Sequence, residues 1–156
     1  MLCAYNTDIL QDGKMDYRYG SHTVFKIEYH FVWVTKYRYQ VLHGDVALRV
    51  RELVRQTCES FEIRIISGAV SKDHVHILVS APPTLAPSEI MRRIKGRTAC
   101  KLFEEFPILK KRYWGQHFWA RGYFCATVGE MTKEMIKQYL EHHFEPGTNQ
   151  NFEIEP

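Results

Sequence analysis

The chain has 156 residues, 45% hydrophobic and 13% aromatic, which suits one compact domain with a real core and leaves little room for a second. Its formal charge of +3 is unevenly placed, because residues 145–156 carry three Glu and no Lys or Arg and leave residues 1–144 near +6; such an excess fits a phosphate-bearing partner and ordinary solubility charge alike. Cys3, Cys58, Cys100 and Cys125 form no C-x-x-C pair, which argues against a disulfide framework or zinc knuckle, and no apolar run approaches the ~20 residues of a membrane span.

Residues 1–20 are polar, with turn signals at Asp12-Gly13 and Tyr19-Gly20, and read as a loose arm without the features of a signal peptide. From Thr23 to Thr35 a β-rich run, Val24, Phe25, Ile27, Tyr29 and Phe31 to Val34, reads as a long central strand. Asp45 stands as the N-cap of a helix in which Val46, Val50, Leu53, Val54 and Phe61 recur at helical spacing. Ile63, Ile65 and Ile66 then form a second strand, Ser67-Gly68 signals a turn, and Val70 to Ser80 is a third strand.

Pro82-Pro83 ends that strand and Pro87-Ser88-Glu89 opens a helix. Its apolar positions are Ile90, Ile94, Leu102, Phe103 and Phe106, and its other side carries Arg92, Arg93, Lys95, Arg97 and Lys101. Pro107 closes it, His117 to Val128 is an aromatic strand region broken at Gly122, and a last helix spans roughly Thr132 to Phe144. The order β-α-β-β-α-β-α is the split β-α-β plan of ferredoxin-like folds, an α+β sandwich with an antiparallel sheet and helices packed on it. The expected organisation is a single domain over 21–144, followed by a mobile acidic tail over 145–156. A chain this small that performs chemistry often builds its site at a subunit interface, so a homodimer is the starting expectation.

The most informative stretch is Asp73-His74-Val75-His76. Side chains alternate across a strand, so His74 and His76 share one face and Val75 and Ile77 the other. Two imidazoles on one face either share a metal ion or are surface histidines on a half-exposed sheet; two ligands alone do not complete a site. In the last helix Tyr139 and His143 are i and i+4 on the stripe that also holds Ile136 and Leu140. That stripe is either a docking face with its polar tips hydrogen-bonded or the carrier of a reactive hydroxyl. Taken together, the two features outline phosphoryl transfer. A tyrosine, with its pKa near 10, is a poor nucleophile unless a cation neutralises the phosphate and helps the leaving oxygen depart.

The set Tyr29-His30-Phe31-Val32-Trp33, Lys36-Tyr37-Arg38, Asp73-His74-Val75-His76, Lys95-Gly96, Tyr113-Trp114-Gly115, Phe118-Trp119 and Gly122-Tyr123 resembles the HUH single-tyrosine transposases. These are the TnpA-type transposases of the smallest bacterial insertion sequences, and the resemblance runs from about Thr23 to Phe144. It implies that His74 and His76 bind a divalent ion, magnesium or manganese, and that Tyr139 is the nucleophile joined to a DNA 5′ phosphate. It implies also a homodimer with composite active sites, acting on single-stranded DNA hairpins at transposon ends without a nucleotide cofactor. Many family members carry Gln four residues after the tyrosine as a third metal ligand. Here that position is His143, with His142 beside it, and an imidazole-rich set tilts the expected preference toward manganese.

For the DNA, the expected phosphate contacts are Lys36, Arg38, Arg92, Arg93, Lys95, Arg97, Lys110, Lys111 and Arg112. Tyr37, Tyr39, Tyr113 and Trp114 lie beside these charges as stacking candidates that serve equally well as core, whereas Trp33 and Trp119 read as core. Three rival readings stand beside the transposase. One is a non-catalytic hairpin-binding protein derived from it, one a metal-dependent nuclease that activates water, and one a structural adaptor that binds no metal. A cytoplasmic protein with no membrane partner is expected in each case.

Overall fold

The computed structural model describes residues 17–127 and 133–142, and in the latter segment the side chains of 137–141. A short antiparallel hairpin comes first, β1 (Arg18–Tyr19) with β2 (Val24–Phe25). There follow β3 (Glu28–Val34), a 3₁₀ turn (Lys36–Arg38), α1 (Gly44–Ser60), β4 (Arg64–Val70) and β5 (His74–Ser80). The chain continues through α2 (Pro87–Glu105), α3 (Pro107–Arg112), β6 (Phe124–Ala126) and α4 (Lys133–His142). Strands β3 to β6 form a four-stranded sheet in the order β4-β5-β3-β6 with every neighbouring pair antiparallel. From β3 onward this is the expected ferredoxin-like plan, with α3 as an addition. No helix among the described residues is long and apolar enough to cross a membrane.

The core lies on one side of the sheet. Phe31 and Trp33 of β3 and Val75, Ile77 and Val79 of β5 are all at most 3% exposed. They join Val50, Leu53 and Val54 of α1 and Ile90, Ile94 and Leu102 of α2 in a single cluster. Trp33 and Trp119 belong to it as expected, their rings 5.9 Å apart edge to face, and the Trp119 indole N–H donates to Thr98 Oγ1 at 2.8 Å. Tyr113, a stacking candidate, is 1% exposed and belongs to the core too.

Several local expectations are corrected. The first strand is not continuous: after Phe25 the chain leaves the hairpin, and Ile27 offers its carbonyl to Ala81 N–H at 2.8 Å before β3 begins. The arm expected through residue 20 is pinned at Arg18, which is 6% exposed and donates to Ser80 O at 3.0 Å and Glu62 O at 2.7 Å. Helix α1 starts at Gly44, so Asp45 sits within its first turn, where a carboxylate suits the helix dipole, and His43 takes the cap position. Ser67-Gly68 is not a turn but the middle of β4. A Cβ on Gly68 would lie 3.0 Å from Ile77 Cγ2 and 3.1 Å from His76 O, so the glycine permits close approach of β5. Pro107 opens α3 rather than only closing α2. Residues 1–16 of the arm, His143 and Phe144, and the acidic tail over 145–156 lie outside the described residues.

Candidate active site

The face of the sheet opposite the core carries the candidate site residues. In the β3–β5 ladder His76 lies opposite Val32 and His74 opposite Val34. Directly paired residues of antiparallel strands project to one side, about 5 Å apart. The His pair and the two valines therefore form one surface. On it rests α4: Tyr139 is 5% exposed and clusters with Val32 and Val34, flanked by Ala120, Phe124 and Leu140. The Phe124 and Tyr139 ring centroids are 5.9 Å apart. The tyrosine helix of the chain thus covers its own histidine face. Burial pushes the Tyr139 phenol up to about 12, so its hydroxyl is neutral in this setting.

Three residues whose part was not legible from spacing complete the surroundings. His30, opposite Leu78 on β3, shares the histidine face, and its Nδ1 lies 3.3 Å from His76 Nε2 with the rings 5.6 Å apart. Asp73 Oδ1 lies 2.8 Å from His74 Nδ1, and its other oxygen accepts from Arg38 Nε at 2.8 Å. In the tautomer that donates to Asp73, His74 keeps the lone pair of Nε2 for a ligand, the arrangement that orients metal-binding histidines. Arg38 also reaches the Leu140 carbonyl on α4 at 3.5 Å.

Burial raises the Asp73 carboxyl, but hydrogen bonds from His74 and Arg38 outweigh it and hold the group below the usual carboxylate range. His76 is held below the ordinary imidazole value by burial first and by His30 and His74 second, which favours the neutral, ligating form. As donors, the two imidazoles fit a divalent ion only in part. Among the described residues no three His, Cys, Asp or Glu gather to hold one.

The expected DNA contacts separate by position. Helix α2 packs on the core face, so Arg92, Arg93, Lys95 and Arg97 belong to the layer across the sheet from the histidines. Arg92 and Arg93 share Glu89 at 2.7 and 2.8 Å, and Arg97 donates to Gln56 at 3.3 Å. Lys95 is partly buried, and its ammonium donates to the Ala120 and Gly122 carbonyls at 2.8 and 3.0 Å. It fastens the segment leading to Phe124, against which Tyr139 rests. Lys110, Lys111 and Arg112 are exposed at the end of α3. Arg38, half-exposed, is engaged with Asp73 at the site itself.

The comparisons with known proteins give the class, which is that of the transposases. The chain belongs to the IS200-like transposase family, whose model, "Transposase IS200 like", matches residues 23–143. It is 35% identical over 127 residues to the ISDra2 transposase TnpA of Deinococcus radiodurans, covering 81% of this chain and 91% of that relative. It is 36% identical over 125 residues to the transposase for insertion sequence element IS200 of Salmonella typhimurium, covering 80% and 82%. A crystal structure of a candidate transposase from Deinococcus radiodurans matches with a TM-score of 0.74 at 35% identity, over 80% of this chain and 96% of that one. A REP-associated tyrosine transposase bound to a REP hairpin matches with a TM-score of 0.50 at 14% identity, over 85% and 68%, a likeness of fold alone.

Proposed function

We propose that this transposase cleaves and rejoins single-stranded DNA at hairpin-bearing ends of its element through a phosphotyrosine on Tyr139. The carrying observation is the seating of Tyr139 on Val32 and Val34, the cross-strand neighbours of His76 and His74. Attack by Tyr139 Oη on phosphorus forms an O–P bond and releases the 3′ oxygen of the cut strand. The 5′-phosphotyrosine keeps the energy of the phosphodiester, so the 3′ hydroxyl of another strand end reverses the step without a nucleotide cofactor.

His74 and His76 would hold a divalent ion, magnesium or manganese, with His143 or His142 as the third protein donor. When bound, the ion supplies neutralisation of the phosphate oxygens and of the departing oxygen. Asp73 fixes the ring of His74, and the depressed pKa of His76 keeps it neutral at physiological pH. Of the expected contacts, Lys110 and Lys111 at the end of α3, with Lys36 and Arg112 beside the Tyr37 and Tyr39 rings, would meet phosphates. Arg92, Arg93 and Arg97 would do so only from the far side of the sheet. A homodimer with composite sites fits a chain this small, and exchange of α4 between subunits would carry Tyr139 from its own sheet to the partner's.

The test is incubation of the chain with end-labelled single-stranded oligonucleotides from the ends of its element, with manganese or magnesium, followed by a denaturing gel. A protein–DNA adduct that vanishes in Tyr139→Phe and in His74→Ala is the expected result. The burial of the Tyr139 hydroxyl favours a second reading, a nuclease that activates water at the same histidines. Cleavage that persists in Tyr139→Phe without an adduct would establish that rival, and tight hairpin binding with neither product would leave a binding protein.

A further inference from the structure

The 3₁₀ turn after β3 displays an aromatic ring beside the candidate active site. Tyr37 and Arg38, two consecutive non-glycine residues, have left-handed backbone with φ of 61° and 49°, a conformation that Cβ sterics disfavour. Their surroundings enforce it. Arg38 N–H donates to Thr35 O at 3.0 Å, Thr35 Oγ1 donates to Tyr39 O at 2.8 Å, and the Arg38 side chain is held by Asp73. Backbone strain maintained in this way is a pointer to function.

The outcome is a Tyr37 ring that is 63% exposed and backed by a ladder of rings. Tyr37 lies 5.4 Å from Tyr39, which lies 5.3 Å from Tyr113, which lies 5.3 Å from Phe118. The last two are buried, so the ladder anchors the outer ring in the core. Cations bracket it: Lys36 Nζ is 5.4 Å from the Tyr37 ring centre, and the Arg112 guanidinium is 4.3 Å from that of Tyr39. Inward, the turn is two hydrogen bonds from the site, Arg38 to Asp73 and Asp73 to His74, each 2.8 Å.

We propose that Tyr37 is a stacking platform for an unpaired base flanking the scissile phosphate, with Lys36 and Arg112 meeting the phosphates of that strand. This rests on the reading of single-stranded DNA as substrate. An aromatic face accepts any unpaired base, and cations at its edge suit the backbone on either side. A duplex hides its base faces, so the platform selects single strand. Trp114 is 98% exposed, but among the described residues no ring packs behind it.

The test uses the full chain and labelled single-stranded oligonucleotides from an end of its element, with each nucleotide near the cut replaced in turn by an abasic unit. At one position the abasic unit weakens wild-type binding by about tenfold. In Tyr37→Ala that position loses its effect, and the intact strand binds about tenfold more weakly. Tyr37→Phe, which keeps the ring, binds like wild type. Tyr37→Gly releases the left-handed strain, so its melting temperature holds or rises while binding falls as in the alanine variant, a split that a purely structural role does not give. Binding of Tyr37→Ala within about twofold of wild type, well inside the effect expected of one stacked base, overturns the proposal; an adduct still formed by the same protein leaves the tyrosine mechanism standing. A wild-type chain that neither binds single strand nor forms an adduct overturns both. A concentration-dependent mass that Tyr37→Ala abolishes assigns the ring to a second copy of the chain and overturns the proposal as well.

Discussion

The two faces of the sheet are built from adjacent residues of the same two strands, yet one is a core and the other a candidate site. Phe31, Trp33, Val75 and Ile77 point into the layer of α1 and α2, while His30, Val32, Val34, His74 and His76 point toward α4. The alternation places His74 and His76 on either side of Val75, 1% exposed, and His30 beside Phe31, 0% exposed. Because Val75 and Ile77 are locked among packed side chains, His76 between them and His74 just before them are positioned by the core without belonging to it. Rigidity comes from one face, and the proposed reactivity belongs to the other, through a shared backbone.

The sharpest way to break this comparison is to truncate one residue on each face. Trp33→Ala empties a fully buried site and is expected to cost about 3–5 kcal/mol, a large part of a typical domain's stability. His76→Ala is expected to change stability by less than about 1 kcal/mol while abolishing the DNA adduct. Urea unfolding of both variants beside the adduct gel decides it. A His76→Ala variant as unstable as Trp33→Ala would make the histidine face structural.

Alkaline pH probes both faces at once. Burial pushes Tyr113, on the core side, and Tyr139, on the site side, each up to about 12 from an ordinary 10. Burial likewise pushes Cys58 up to about 12 from 9. The folded chain holds these protons more tightly than the unfolded chain. Their stabilisation is therefore fully present below about pH 9 and is lost as pH rises through about 12. Tyr113→Phe and Tyr139→Phe should each flatten that fall by on the order of 2 kcal/mol, read from urea midpoints across the range. A Tyr139→Phe profile identical to wild type would mean that α4 does not shield the phenol in solution.

The legible parts of this molecule are those encoded locally. Period-two alternation announced the histidine face, and the i, i+4 stripe announced the tyrosine helix, because both patterns lie within one element. His30 beside His76 and Arg38 on Asp73 were not legible, since they join residues 46 and 35 apart through the register of β3 on β5. Ser67-Gly68 misled for the opposite reason. A glycine reads as a turn locally, but here it answers the side chain of a neighbouring strand. Lys95 stood on the polar side of its helix and was expected on DNA; the carbonyls that capture it come from a segment folded back from 25 and 27 residues away.

Asp73 immediately precedes β5, where Arg38 ties it to the 3₁₀ turn, and it tests whether the candidate site face is organised by its second layer of contacts. Asp73→Asn keeps the size of the side chain but removes the charge that both His74 and Arg38 address. Adduct formation is expected to require about 10–100-fold more metal ion, with recovery at high concentration. Unchanged metal dependence would remove Asp73 from the site.

The smallest effect concerns the layer beyond the core. Gly96 is exposed within α2, and a methyl group added there would meet nothing within 4 Å among the described residues. A glycine inside a helix costs roughly 0.5–1 kcal/mol relative to alanine, so Gly96→Ala should raise stability by about that amount in urea unfolding. Among the described residues nothing asks for bare backbone at this position. If the variant is more stable and its DNA binding is unchanged, the outer side of α2 is scaffold and function is confined to the histidine face and its rim. If stability rises while affinity for the hairpin falls, a ligand approaches the helix closely beside Arg92, Arg93 and Arg97. The sheet would then have a working surface on both sides, with the core between them as the spacer.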